Sequence, residues 1–129
     1  MPYMSRFLWV CLGGAVGTGA RYLIALTAPR LLGTSFPWAT LIVNVSGSLL
    51  LGVLAVLFLE RVPPHQRTWF LLLGVGFCGG YTTFSTFSLD VAVLYERGEI
   101  GLAALYVLLS VVLSIGGLFG GLALVRGLT

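Results

Sequence analysis

The sequence predicts an all-α membrane protein with four transmembrane helices per chain, the third of them broken near its middle. Hydrophobic residues make up 58% of the 129 residues and charged residues only 9%, whereas about a quarter of the residues in a soluble domain are charged. The mean hydropathy is +1.05. Apolar residues fall into four stretches, each close to the roughly 20 residues that a helix needs to cross a bilayer. Most of this chain is therefore expected to lie in lipid.

The four predicted helices form a single transmembrane domain, residues 1–129. They cover roughly residues 5–29, 37–60, 67–95 and 99–126. The connectors "APRLLGTSFPW", "ERVPPHQR" and "YERGE" contain the Pro and Gly residues that commonly end helices. The first stretch follows Arg6 and could imitate a secretory signal. However, no sizeable domain follows it for export, so we interpret it as a retained helix.

The arginine distribution gives a weak orientation signal. An even number of spans puts both termini on one side of the membrane, together with the connector at residues 60–68. That side carries four loop arginines and the other side two: Arg6, Arg61, Arg67 and Arg126 against Arg30 and Arg97. Loop charge is the main determinant of orientation. A bias this small leaves open whether the chain inserts with its termini inside or in both orientations.

Charge and cysteine content argue against several function classes. The net charge of +3 comes from arginines spread over loops and helix ends, so no nucleic-acid partner is predicted. Cys11 and Cys78 lie in apolar spans without a Cys or His at metal-binding spacing, which favours packing over a disulfide or metal site. The sequence offers no set of nucleophile, base and orienting acid, so no enzyme is predicted.

Glycine spacing indicates close helix packing. The chain has 18 glycines, and several small residues recur four apart, as Gly13 and Gly17 do. Small residues at this spacing let helix backbones approach closely in lipid. The pattern predicts a tight bundle and no particular function.

The third predicted helix contains a polar run within an apolar stretch, "GFCGGYTTFSTFSLD" at residues 76–90. At about 1.5 Å per residue the helix spans about 40 Å, more than the roughly 30 Å of the hydrocarbon core. Gly79 and Gly80, followed by Thr82 and Thr83, predict a break, because glycine relaxes the backbone and threonine hydroxyls can satisfy freed groups. Exposed carbonyls suit a small cation such as sodium, whereas amides and hydroxyls suit an anion.

Other polar side chains lie at membrane depth. Asn44 is near the middle of the second helix, and Tyr106, Ser110 and Ser114 form a stripe with spacing four on the fourth. Each residue alone is more often a helix–helix hydrogen-bonding group than part of a transport site. Taken with the third helix, the whole set favours a polar track.

Two phenylalanines follow the predicted break. Phe84 and Phe87 are three residues apart and share a helix face. An aromatic ring has a positive edge, which an anion can use. Ordinary packing is the alternative for an isolated pair.

Three stretches, "GGYTTFSTFS", "WATLIVNVSGSLLLG" and "GGAVGTGARY", resemble the Fluc family of small fluoride channels, also called CrcB. The resemblance covers essentially the whole chain, and the run "TTFSTFS" is highly specific. It implies a passive fluoride-selective channel that exports cytoplasmic fluoride and relieves its toxicity. It also implies an antiparallel dual-topology homodimer with two pores and a structural sodium ion on the twofold axis. The expected location is the cell (inner) membrane of a prokaryote.

The resemblance also implies roles for individual residues. Gly79 and Thr82 match positions whose main-chain carbonyls hold the sodium ion. Arg21 matches an arginine at the vestibule, where its charge would attract anions; an arginine that anchors the membrane interface is the alternative. Asp90 stands where the family often has glutamate, and pairing with Arg21 or Arg97 stays open. The residues of the implied fluoride pathway are Asn44, Thr83, Phe84, Ser85, Phe87, Tyr106, Ser110 and Ser114.

Two other functions fit a small four-helix membrane protein. A proton-coupled multidrug exporter of similar size would carry a membrane-embedded glutamate on its first helix, where this chain has apolar residues, Gly, Thr18 and Arg21. A non-transporting membrane subunit would use the glycines and Asn44 only for assembly. Fluoride efflux from liposomes distinguishes both from a channel.

Overall fold

The computed structural model describes residues 2–128. This part of the chain has four helices that are long and apolar enough to cross a membrane, which we call spans 1 to 4. They are Tyr3–Leu32, Trp38–Glu60, Pro64–Glu96 and Ile100–Gly127. The predicted all-α architecture with four spans is confirmed, and the antiparallel dimer stays a prediction. Span 1 continues beyond the expected end at residue 29, because Pro29 lies inside the helix and its last turn closes at Gly33.

Two connectors turn at glycines. Gly33 after span 1 has a φ of 85° and Gly98 after span 3 has a φ of 80°. These values lie in the left-handed region, which is strained for residues with a Cβ atom. Span 3 follows a different connector, in which Pro64 starts a short 3-10 turn. The breaks that the sequence places at Pro and Gly therefore coincide with these connectors.

The bundle consists of two closely packed helix pairs. Span 2 packs along span 4, and span 1 packs along the first half of span 3, residues 64–81. A Cβ atom added at Gly17 would overlap the carbonyl oxygen of Phe77, and one added at Gly121 would overlap that of Leu49. Backbones this close are what the glycine spacing predicts.

Two segments have π-helical geometry that the sequence analysis does not predict. Residues Leu71–Cys78 of span 3 and Val56–Glu60 at the end of span 2 are π-helical. A π-helix bonds residue i to residue i+5 and is rare in proteins. The longer segment lies against span 1 and leads directly into the break of span 3.

The break in span 3 is confirmed, and it lies at the threonines. The short helix Gly79–Tyr81 ends at Thr82, where φ is −86° and ψ is 159°. Thr83 is also extended, with φ −155° and ψ 120°, and the helix resumes over Phe84–Glu96. Gly79 and Gly80 keep helical geometry. At Gly80 the absence of a side chain allows close packing, since an added Cβ atom would meet the backbone of Gly14.

An ion pair connects the ends of spans 2 and 4. The guanidinium of Arg126 donates two hydrogen bonds to the carboxylate of Glu60. Both side chains are about half exposed. Exposed pairs contribute little stability, so the glycine contacts carry more of the pairing between these spans.

We predict that Gly121→Ala lowers the melting temperature of the purified protein, because its Cβ atom would overlap the Leu49 carbonyl and overpacking costs about 1–3 kcal/mol. Gly116→Ala is the matched control, since a Cβ atom there would enter open space on the same span. Thermal unfolding in detergent compares the two. Equal melting temperatures would show that the close approach of spans 2 and 4 is not required.

Candidate functional site

A groove of about 630 Å³ runs between spans 2, 3 and 4. The groove passes the break of span 3. Phe84 lines the groove, and 78% of its surface is exposed. The groove brings together most of the sequence-predicted site residues: Asn44, Gly79, Thr82, Thr83, Phe84, Phe87, Ser110 and Ser114. Ser85, Tyr106 and Arg21 do not line it.

Asn44 holds the break from the side of span 2. Its Nδ2 donates to the carbonyl of Thr83 at 3.0 Å, and its Oδ1 accepts from the amide of Thr83 at 2.8 Å. An extended residue has lost its helical partners, and a carboxamide can satisfy both of its peptide groups. Among residues 2–128 the second hydrogen on Nδ2 has no acceptor, and Asn44 lines the groove. The side chain can thus fix the backbone and still donate into the groove.

The two threonines of the break use their hydroxyls locally. Thr82 Oγ1 donates to the carbonyl of Cys78 at 2.8 Å. Thr83 caps the second half of span 3, because its Oγ1 accepts from the amide of Thr86 at 3.1 Å. Ser85 is exposed, with its Oγ 3.3 Å from Thr83 Oγ1. The structure therefore places the hydroxyl of Ser85 at the cap.

Span 1 contacts the other side of the break. Arg21 Nε donates to the carbonyl of Gly80 at 3.0 Å, and Thr18 Oγ1 donates to the same oxygen at 3.4 Å. Arg21 is half-buried. The family resemblance implies that this arginine acts through its charge in a vestibule, whereas in the structure its guanidinium is bound to the main chain.

Three carbonyl groups at the break are available to a cation. Among residues 2–128, no protein donor is hydrogen-bonded to the carbonyl oxygen of Gly79, Tyr81 or Thr82. The helical partners of the first two would be the amides of Thr83 and Ser85, but Thr83 lies within the interruption and Ser85 lies beyond it. Free carbonyl oxygens are ligands for a small hard cation. The predicted sodium ligands, Gly79 and Thr82, therefore have the donor type that sodium requires.

The predicted aromatic pair, Phe84 and Phe87, packs against a third ring, that of Tyr106. The centroids of Phe84 and Phe87 are 5.4 Å apart with an interplanar angle of 52°. Phe87 is buried and lies 5.2 Å from the ring of Tyr106, which is itself fully buried. In a tilted pair at this distance, the positive edge of one ring can lie near the negative face of the other. Packing against Tyr106 fixes Phe87, whereas Phe84 is held mainly on one side.

Two hydroxyls on span 4 have no partner. Within the described chain, Ser110 Oγ and Ser114 Oγ are buried without a hydrogen bond. Both side chains line the groove. A buried polar group without a partner is unfavourable and calls for an explanation such as a bound ion or water. These hydroxyls are the clearest free donors that the groove contains.

Asp90 pairs with Tyr106. The sequence alone leaves the partner of Asp90 open. The Tyr106 hydroxyl donates to Asp90 Oδ2 at 2.9 Å. Arg21 lies at the break and Arg97 is exposed. This hydrogen bond connects spans 3 and 4 beside Phe87 and outside the groove lining.

Two further contacts involve residues that the sequence analysis does not assign to the site. Thr18 shares the Gly80 carbonyl with Arg21, and its position three residues earlier on the same helix face is the signal that could have identified it. Ser46 Oγ lies 2.9 Å from the Tyr81 hydroxyl, and the Tyr81 ring stacks on Phe77 at 5.5 Å. The bulky Tyr81 side chain is thereby held against span 2 and against Phe77 of its own span.

Comparison with known proteins identifies the family. Residues 8–122 match the sequence profile of the family described as "CrcB-like protein, Camphor Resistance (CrcB)". The match covers most of the chain. This chain belongs to the CrcB family.

Relatives from three bacteria agree with this assignment. One from Rhodopseudomonas palustris is 53% identical over 123 residues, which are 95% of this chain and 98% of the relative. One from Rhodospirillum centenum is 54% identical, covering 95% and 97%. One from Chelativorans sp. is 53% identical, covering 97% and 99%. All three are named "Fluoride-specific ion channel FluC". The resemblance seen in the motifs is confirmed, and this CrcB protein is a multi-pass membrane protein of a prokaryote.

We predict that Asn44→Asp loosens the break of this CrcB protein. Aspartate can still accept from the Thr83 amide, but its second oxygen would face the Thr83 carbonyl, which Nδ2 now contacts at 3.0 Å. Losing that donor and placing two acceptors together costs about 1–3 kcal/mol. Hydrogen exchange at the Thr83 amide should be faster in the variant than in the parent protein handled identically. Unchanged exchange would contradict the holding role of Asn44.

Proposed function

We propose that this CrcB protein is a passive, fluoride-selective channel that lets fluoride leave the cell down its electrochemical gradient. The observation that carries the proposal is the pair of buried hydroxyls on Ser110 and Ser114, which have no hydrogen-bond partner among residues 2–128 and lie in the groove that Phe84 and Phe87 also line. Relatives about half identical in sequence, named fluoride-specific ion channels, support fluoride as the ion. Conduction requires no catalytic step, so no enzyme activity is proposed.

Fluoride is small and strongly hydrated, so a selective path must replace its water with closely spaced donors. The free hydrogen of Asn44 and the hydroxyls of Ser110 and Ser114 supply hydrogen bonds from two sides of the groove. The positive edges of Phe84 and Phe87 supply further favourable contacts. Phe87 is fixed by Tyr106, whose hydroxyl is held by Asp90. We propose that Tyr106 supports the pathway, and that Thr83 and Ser85 shape its start.

We propose a second copy of this chain as the partner that closes the groove. Phe84 is 78% exposed although it lies at the break with the other site residues. A chain with weakly biased loop arginines can insert in both orientations, and two antiparallel copies would bring two breaks together at the same membrane depth. Such a homodimer would contain two equivalent grooves and therefore two pores.

The free carbonyls suit a structural sodium ion at the centre of that dimer. Gly79 and Thr82 would hold it through their main-chain oxygens, two from each chain, and Gly79 lies in open space on the groove side. When bound, the ion supplies positive charge that compensates carbonyl oxygens without amide partners. The protein's part is to keep these oxygens fixed by the contacts of Asn44 and Arg21 on either side.

We predict that impermeant maleimide labels Thr34→Cys in about half of the molecules when the protein, lacking Cys11 and Cys78, is in intact vesicles. Thr34 is exposed in the connector after span 1, so antiparallel insertion puts it on both sides in equal numbers. Permeabilised vesicles should give complete labelling. Labelling of all or of no molecules in intact vesicles would contradict dual topology.

Liposomes containing the purified protein test the function. We expect fast fluoride efflux, little chloride efflux and no requirement for a proton gradient. Drug–proton exchange without fluoride efflux would favour the small exporter. Liposomes that stay impermeable to fluoride would favour a non-transporting subunit.

In the same assay Phe84→Ile and Phe87→Ile should each lower fluoride efflux at least roughly tenfold, a loss of about 1.4 kcal/mol in barrier stabilisation. Isoleucine stays apolar and loses the ring edge. Phe119→Ile is the matched control, because Phe119 is 63% exposed on span 4 and does not line the groove. Gel filtration checks that each variant keeps its assembly. Normal efflux in both site variants would exclude a role for the rings.

A further inference from the structure

The carbonyl of Gly80 accepts hydrogen bonds from side chains of span 1, as the carbonyl of Thr83 accepts one from span 2. In a continuous helix it would accept from the amide of Phe84, but Phe84 begins the second half of span 3. Arg21 Nε donates to it at 3.0 Å and Thr18 Oγ1 at 3.4 Å. A charged donor gives the stronger of the two bonds, and the shorter distance agrees.

Arg21 makes this bond where span 1 and span 3 are in close contact. A Cβ atom at Gly80 would overlap the backbone of Gly14 and lie 2.9 Å from Thr18 Oγ1. Span 1 and the end of the first half of span 3 are therefore in backbone contact. Arg21 is half-buried at this contact, and its Nε, near the base of the guanidinium, makes the bond.

We propose that Arg21 is a positioning residue that holds the peptide group of Gly80 and thereby sets the geometry of the break. The carbonyls of Gly79 and Tyr81 belong to the adjoining residues, so fixing Gly80 fixes their directions too. Asn44 holds Thr83 from span 2, and Arg21 holds Gly80 from span 1. The effect on conduction rests on the proposed function; the effect on the break does not.

Side-chain chemistry separates this role from attraction of anions by charge. Glutamine has an N–H at the same number of bonds from Cα as arginine Nε, without the charge. Lysine keeps the charge and has a methylene at that position. Methionine has neither the donor nor the charge. Arg21→Gln, Arg21→Lys and Arg21→Met thus test donor and charge independently.

Hydrogen exchange of the protein in lipid nanodiscs reports on the break itself. Arg21→Met and Arg21→Lys should accelerate exchange at the amides of Thr82 and Thr83 roughly tenfold, and Arg21→Gln should stay close to the parent. Arg30→Met, an exposed arginine at the end of span 1, is the control and should change nothing there. Parent-like exchange in Arg21→Lys, or fast exchange in Arg21→Gln, would overturn the proposal. If Arg21→Met does not fold, the Lys and Gln variants decide alone.

Fluoride efflux from liposomes gives the second readout. We expect Arg21→Gln to keep efflux within about threefold of the parent and Arg21→Lys to lose roughly tenfold. The reverse order, with lysine active and glutamine inactive, would show that charge is the property required and would overturn the positioning role. If the parent carries no fluoride, the proposed function fails, and the exchange comparison still decides the role of Arg21.

Discussion

The architecture depends on how a broken helix satisfies its peptide groups in lipid. Water cannot reach them in the hydrocarbon core, so each unpaired group is costly unless protein or an ion supplies a partner. Asn44 solves this problem for Thr83 with two hydrogen bonds from one side chain. Thr18 and Arg21, on span 1, donate hydrogen bonds to the carbonyl of Gly80. The second half of span 3 then starts at Phe84, capped by the Thr83 hydroxyl.

Glycine packing makes these contacts possible. An asparagine or arginine reaches a main-chain group only if its helix lies close by, and the backbones of spans 1 and 3 touch at Gly17 and Gly80. Gly47 performs the same function on span 2, where an added Cβ atom would overlap the side chain of Thr82. The small residues therefore determine the distance between spans, and that distance determines which polar groups can meet.

The polar side chains divide into two groups with different duties. The hydroxyls of Thr82 and Thr83 are engaged with the backbone at the break, and that of Tyr106 is engaged with Asp90. Ser110 and Ser114 have buried hydroxyls without a hydrogen-bond partner in the described part of the chain. Among these hydroxyls, only those of Ser110 and Ser114 can bind an ion without first giving up a hydrogen bond. The proposed pathway therefore includes fewer residues than the full set of polar residues that the motifs suggest.

The sequence by itself determined the membrane environment, the four spans, the family and the region of the break, because composition, span length and a specific motif are local properties of the chain. The tertiary structure decided that the interruption falls at Thr82 and Thr83, where the extended backbone finds Asn44, and that Gly80 serves helix contact instead. It also decided the partner of Asp90 and the contact of Arg21. These pairings join different spans, so they depend on helix distance and rotation, which no local pattern encodes.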